Sequence, residues 1–240
     1  MHVPSSAISE ARDLVAAATN IAVLSGAGLS KASGIPTYRD AGGLWQRVEN
    51  AKYSHIAAYR TAPGSFRQFW RARQREVRRA RPNAGHLALR ELQRLKTTTL
   101  ITQNVDGLLQ AAGCTDVIEL HGSLSRHSCG QCGERRLSLL GRCLRCRGHM
   151  RPEVILFGEE LPRDAHLRAL ESARRCDLFL LVGSTAIVAP AAELPVLALK
   201  AGAKLIVVDT EPPLLAHAAD VVLTGPAENV LPELAHGIRL

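Results

Sequence analysis

No stretch of this sequence approaches the roughly 18 consecutive apolar residues that a membrane-spanning helix requires, and the opening MHVPSSAISE does not have the pattern of a secretory leader. A cytoplasmic protein is therefore expected. Internal repeats and low-complexity tracts are also missing, which excludes a repeat array. Acidic residues are in deficit, 22 against 30 basic ones, for a net charge of +8, and most of the basic residues are arginine. That balance favours acidic or phosphate-bearing partners without identifying them, and a solvated arginine-rich surface accounts for it equally well. Cysteines number six, which suits a reducing compartment if four of them hold a metal and Cys114 and Cys176 remain as partly buried thiols.

What is present has the rhythm of an α/β protein. At 240 residues the chain is long enough for one large domain, or one domain carrying a small insertion, with an extensive core. Apolar spacing predicts a helix over 8–18, capped by Ser6 or Ser9, leading into a buried strand at Ile21-Ala22-Val23-Leu24. Further strands are expected at 99–102, 117–120, 178–182, 204–208 and 221–223, with helices at 65–80, 83–95, 164–173, 190–201 and 228–236. Such alternation predicts a Rossmann-like parallel sheet with helices on both faces and ligand bound at the carboxyl ends of its strands. That core covers about 8–50, 83–123 and 151–240. Residues 51–82 read as a helical insertion, in which Phe66, Phe69, Trp70 and Val77 stand among six arginines. Their aromatic stripe fits packing better than contact with nucleic acid or membrane.

Every polar cluster follows an expected strand: Gly26 to Ser30, Gln103 to Asp106, His121, Gly183-Ser184-Thr185 and Asp209. Turn residues selected only for loop formation would fall at both strand ends, so a binding crevice along one rim is expected. Gly26-Ala27-Gly28 lets backbone approach an anion closely, and the N–H groups that follow, with Ser30, can cradle a pyrophosphate. The third glycine of a dinucleotide fingerprint is absent, because Lys31 stands there, and no acidic residue follows at the usual distance of roughly 20 residues.

Residues 124–150 hold cysteines, glycines and arginines but few core formers, and read as a small inserted module. Cys129 and Cys132, then Cys143 and Cys146 after a gap of ten residues, form two knuckles whose thiolates can close a tetrahedral zinc site. Four thiolates leave no open position, so the zinc is expected to be structural and to be needed for this core-poor segment to fold. His121, at a strand end before Gly122, is the one histidine of nine in a catalytic setting; a general base and a structural histidine both fit it.

Read as longer strings, GAGLS, GIPTYRD and GLW (26–45), TQNVDG (102–107), Leu120-His121-Gly122, the paired cysteines and RPEVILFGE (151–159) resemble the sirtuins, the NAD-dependent protein deacylases, over nearly the whole chain. The resemblance implies a single catalytic domain that consumes NAD and carries one structural zinc. It is nearest to the branch that removes succinyl as well as acetyl groups. In that family the acyl-lysine carbonyl oxygen attacks the anomeric carbon and nicotinamide leaves; the histidine then deprotonates a ribose hydroxyl, and lysine and O-acyl-ADP-ribose are released.

Carried over by residue, the resemblance makes His121 the base and Asn104 its water-positioning partner. Gly26, Ala27, Gly28 and Ser30 become the pyrophosphate cradle, with Arg39 beside it. Ile35 and Asp106 become nicotinamide contacts, and Gln103 a ribose contact. Pro36, Tyr38, Trp45 and Ala227 join the cofactor site. Gly183, Ser184, Thr185 and Asp209 stand where the family usually has Gly-Thr-Ser and Asn, and still offer hydroxyls or an acceptor to the adenosine ribose. Val154, Phe157, Gly158 and Glu159 flank the lysine tunnel on a segment that pairs with substrate backbone. Trp70 and Arg73 occupy the family's Tyr-x-x-Arg positions, where Arg73 is a candidate ligand for an acyl carboxylate. Partners are acylated-lysine proteins and NAD, with nucleic acid not expected as a primary partner. Two rivals stay open: an NAD-dependent ADP-ribosyltransferase, which would not need His121, and a zinc-ribbon nucleic-acid-binding protein, which would explain only residues 124–150.

Overall fold

The computed structural model describes residues 4–37, 51–136 and 141–236. Helix α1 (Ser5–Ala17) begins ahead of the expected start, with Pro4 at its N-terminal boundary and extended there (ψ 133°), so Ser6 and Ser9 lie inside the helix and do not cap it. Strand β1 (Asn20–Ser25) follows, buried at every position after Asn20. It sits at the centre of a six-stranded sheet of order β3-β2-β1-β7-β8-β9, with β2 at Thr97–Thr102, β3 at Ile118–Glu119, β7 at Leu178–Val182, β8 at Lys204–Asp209 and β9 at Val221–Thr224. All its pairings are parallel.

Alternate residues of these strands feed two separate cores, as the two-residue period of a strand requires. Val23, Leu100, Leu180 and Ile206 pack on one face beneath α1, α4 (Ala84–Leu95), the short α5 (Leu108–Ala111) and α8 (Ala227–Ala235). Leu24, Ile101, Leu181 and Val207 pack on the other beneath α6 (Arg163–Arg175) and α7 (Glu193–Lys200). The order reverses between β1 and β7, because β1 runs on to β2 on one side and is joined by β7 only much later on the other. Loops leaving the carboxyl ends of these two strands diverge, which opens a crevice at that point.

A second, antiparallel sheet of order β5-β4-β6 is built from β4 (Gly122–Cys129), β5 (Arg135–Arg136) and β6 (Met150–Val154). It departs from the main sheet directly after His121 and returns at Val154, which pairs with Gly122. Against it lie α2 (Ile56–Thr61) and α3 (Pro63–Arg79). Phe66, Trp70 and Gln74, four residues apart, form the buried face of α3, and the two aromatics share a cluster with Leu124, Val154 and Leu156. The aromatic stripe is thus a packing face, as expected, while Arg71, Arg75, Arg78 and Arg79 are exposed. Phe66 is fully buried, so truncating it to alanine would cost about 3–5 kcal/mol.

Candidate active site

The crevice is a cavity of about 1050 Å³, enough for a dinucleotide together with part of a second substrate. Its floor is two glycine loops laid against each other. The Gly28 N–H donates to the Gly183 carbonyl at 2.9 Å and the Gly26 N–H to the Val182 carbonyl at 2.9 Å. A Cβ on Gly26 would lie 2.6 Å from the Gly183 oxygen, and one on Gly28 would lie 2.7 Å from the Gly183 Cα. Gly183 itself has φ +56°, the left-handed region that favours glycine. Two glycines of the first loop are therefore required by the contact between β1 and β7, and the same contact bares the backbone to the cavity.

Polar side chains are tied to this floor from β2. Asn104 Nδ2 donates to the Gly26 carbonyl at 2.9 Å and to Ser30 Oγ at 3.2 Å, and Gln103 Nε2 donates to Ser184 Oγ at 2.8 Å. The Ser30 hydroxyl donates to Asp106 Oδ2 at 2.8 Å, and the Leu108 N–H donates to Asp106 Oδ1 at 2.9 Å. Burial pushes the Asp106 carboxyl above its ordinary range, against these bonds. His121 Nδ1–H donates to the Gln103 carbonyl at 3.0 Å, which assigns the tautomer and leaves Nε2 with its lone pair on a ring that lines the cavity. Burial lowers the His121 pKa, so the imidazole is neutral at pH 7 and competent to take a proton.

The structure brings most of the expected site residues to one cavity. Gly26, Ala27, Gly28, Gln103, Asn104, His121, Gly183, Ser184, Thr185, Asp209 and Ala227 line the cavity on the side of the glycine floor, and Trp70, Val154, Phe157, Gly158 and Glu159 line it on the other. Burial raises the Asp209 carboxyl, partly offset by the Glu211 N–H. Ser30 and Asp106 stand behind the lining as supports, and neither Ile35 nor Pro36 reaches it among the described residues. Tyr38, Arg39 and Trp45 lie outside the described residues. Arg73 does not reach the cavity either: its Nη2 bonds Glu76 at 2.5 Å and its guanidinium lies over Phe69.

One residue that sequence reasoning passed over is His86. It is 1% exposed, and burial drives its pKa down to about 4. Its Nδ1 accepts the Asn83 N–H, closing the N-terminal cap of α4, and its Nε2 faces Ser30 Oγ at 3.5 Å. The cap signal Asn83-x-x-His86 was readable, but nothing in it pointed to Ser30. A neutral, buried imidazole thus backs the Ser30–Asp106 pair from below.

Comparison with known proteins decides the lineage. The Sir2 family profile matches residues 26–190, well over half of the chain. The chain belongs to the Sir2 family. It is 43% identical over 233 residues to an NAD-dependent protein deacylase of Ralstonia nicotianae, covering 94% of this chain and 95% of the relative. It is 39% identical to NAD-dependent protein deacylase 2 of Pyrobaculum aerophilum, over 95% and 94% of the two chains. Among solved structures, a Sir2 homologue in complex with NAD superposes with a TM-score of 0.90 at 35% identity, covering 96% of this chain and 93% of the other.

The cysteine cluster of this Sir2 protein fits zinc. Sγ atoms of Cys129, Cys132, Cys143 and Cys146 all lie within 4.8 Å of one another, with Cys129 to Cys146 at 3.5 Å and Cys132 to Cys143 at 3.6 Å. Disulfides would need about 2.05 Å. Thiolates each ~2.3 Å from one zinc ion would stand roughly 3.8 Å apart, close to the observed pairs. Cys129, Cys143 and Met150 are the buried residues of the small core around the cluster, which leaves little else among the described residues to hold this module together. Changing Cys143 to serine, or stripping metal with a chelator, is expected to cost the bound zinc and lower the melting temperature. Metal analysis finding less than one zinc per chain in stable, active wild-type protein would count against a structural metal.

Proposed function

We propose that this protein is an NAD-dependent protein-lysine deacylase that consumes NAD and releases nicotinamide and O-acyl-ADP-ribose. The observation that carries this reading is the placement of His121. Its Nδ1 is held by the Gln103 carbonyl and its ring borders a cavity shared by the glycine floor and the apolar wall Val154–Gly158. Gly26, Ala27, Gly28 and the Gly183–Thr185 loop would take the pyrophosphate, and Asp209 and Ser184 the adenosine ribose. Asn104, fixed through Gly26 and Ser30, would order the nicotinamide ribose and a water.

In this reading the acyl-amide oxygen on the lysine side chain displaces nicotinamide from the anomeric carbon. His121 Nε2 takes the proton of a ribose hydroxyl, which then attacks the imidate carbon. Water completes the cleavage and lysine leaves as the free amine. Support for a peptide beside the cofactor comes from a relative: a Sir2 protein bound to a myristoylated histone peptide superposes with a TM-score of 0.80 at 34% identity, covering 97% of this chain and 96% of the other. A cytoplasmic location belongs to the same reading, on the strength of four closely spaced thiols suited to a reducing compartment. Among the described residues no helix is long and apolar enough to cross a membrane. Mass spectrometry of an acetyl-lysine peptide incubated with protein and NAD tests the activity. Loss of the acetyl mass together with O-acetyl-ADP-ribose is the expected result, and ADP-ribose attached to protein without deacetylation would favour the transferase instead.

Acyl choice follows from Trp70 and Arg73. The Trp70 indole N–H donates to the Tyr53 carbonyl at 3.1 Å, which fixes the ring at the apolar wall, and Arg73 is engaged with Glu76. A succinyl carboxylate would have to win Arg73 from that partner. Turnover of an acetyl peptide is expected to exceed that of a succinyl peptide, in a ratio that Arg73→Met does not change. A succinyl rate that falls selectively in the variant would return Arg73 to the tunnel.

A further inference from the structure

Glu159 lines the cavity, yet both of its carboxylate oxygens are already engaged within the protein. Arg151 meets them as a fork, Nη1 to Oε1 at 2.6 Å and Nη2 to Oε2 at 2.7 Å. The Leu156 N–H donates to the same Oε2 at 2.9 Å, and Arg151 Nη2 also reaches the Val154 carbonyl at 2.6 Å. The pair is mostly buried, with side chains 11% and 24% exposed, and the Arg151 guanidinium lies 5.4 Å over the Tyr59 ring. Tyr59 in turn donates its hydroxyl to the His149 carbonyl at 3.0 Å. A planar guanidinium that serves two carboxylate oxygens and a carbonyl at once fixes orientation as well as distance.

The segment these bonds span is the wall itself. At its start the Ile155 N–H donates to the His121 carbonyl at 2.9 Å, and at its middle Phe157 exchanges bonds with Ser54 (2.8 Å) and Ile56 (3.0 Å). Beyond Phe157 the chain turns at Gly158, which has φ +86°, and Glu159 is the next anchor. We propose that Arg151 and Glu159 form a strut that holds the acyl-lysine wall at its far end, so that this ion pair sets affinity for the peptide while leaving the NAD cradle alone. The inference rests on the deacylase reading for the identity of the peptide. Both are positioning residues: Glu159 acts through the Leu156 N–H, and Arg151 through Glu159 and the Val154 carbonyl.

Calorimetric titration of an acetyl-lysine peptide, and separately of NAD, into wild type, Glu159→Gln, Arg151→Lys and the double variant tests this, with a thermal melt of each. Expected is a peptide Kd raised at least about tenfold in either single variant. The double variant should bind no more weakly than the weaker single, and the NAD Kd should stay within about twofold of wild type. Glu159→Gln keeps the shape of the side chain and is the deciding variant if Arg151→Lys does not fold. An unchanged peptide Kd in cooperatively melting Glu159→Gln overturns the strut. So do single effects that multiply in the double variant, since each residue would then touch peptide independently, and so does NAD binding weakened as much as peptide binding. Because calorimetry reads binding, a wild type that binds peptide without turning it over defeats the activity reading alone.

Discussion

Replacing His121 with alanine is expected to lower acyl-peptide turnover by about 10²-fold or more while NAD binding and the melting temperature stay near wild type. Among the described residues the imidazole has one structural bond, to the Gln103 carbonyl, which leaves its other nitrogen for proton transfer. Losing it removes a base and one hydrogen bond of the kind worth about 1 kcal/mol, too little to unfold the domain. The pH profile supplies a second readout. Burial lowers the folded-state pKa of His121, so the neutral, basic form persists to lower pH than in a free histidine. The acidic limb of kcat/KM should therefore fall only as pH drops below the ordinary histidine value near 6.5, and should vanish from whatever residual rate His121→Ala retains. Full activity in a folded His121→Ala protein would remove the histidine from the chemistry and bring ADP-ribosyl transfer forward.

The second large effect belongs to Gly28. Alanine there would place a methyl 2.7 Å from the Gly183 Cα and 3.0 Å from its carbonyl oxygen, both backbone atoms with β7 directly behind them. The loops must separate, which breaks the Gly28 to Gly183 hydrogen bond and widens the floor on which a pyrophosphate would lie. Overpacking of this kind costs about 1–3 kcal/mol, and one increment of about 1.4 kcal/mol is a tenfold loss of affinity. NAD binding by calorimetry should weaken at least roughly tenfold, with a matching drop in the denaturant midpoint. Gly64 is the control, because a Cβ there meets nothing within 4 Å and its place in the first turn of α3 suits alanine. Equal NAD affinity in Gly28→Ala and Gly64→Ala would mean that the glycine contact is not what shapes the site.

Much of this was legible from the chain because the features are periodic or local. The apolar run Leu178–Val182 is a strand at the residues expected, since a central parallel strand needs apolar side chains on both faces. The polar clusters share one rim because parallel strands put all their carboxyl ends on the same side. The spacing of the cysteines set their grouping, and the glycine loop marked one side of the crevice. What the sequence hid were contacts across long separations. Arg73 read as a tunnel ligand from its place in a motif, but Glu76, one helical turn on, holds it elsewhere. His86 went unremarked, because its neighbour Ser30 comes from a segment 56 residues away. Glu159 read as a substrate contact, while its partner Arg151 stands just past the expected end of the knuckle module.

If the glycine floor takes NAD as proposed, the central position of β1 also governs when the protein can first recognise a nucleotide. β1 gains its second neighbour only from residues 178–182, and Gly28 touches Gly183, so the glycine floor does not exist until about three quarters of the chain has been made. At ribosomal rates of roughly 5–20 residues per second, the first glycine loop waits on the order of ten seconds or more for its partner. Throughout that interval one edge of β1 has no strand to pair with, and NAD has nothing to bind that could stabilise the nascent fold. Completion of the sheet and acquisition of the cofactor site are then one event, late in synthesis, and a chain interrupted before β7 would carry the signature motif of the first loop and none of its affinity.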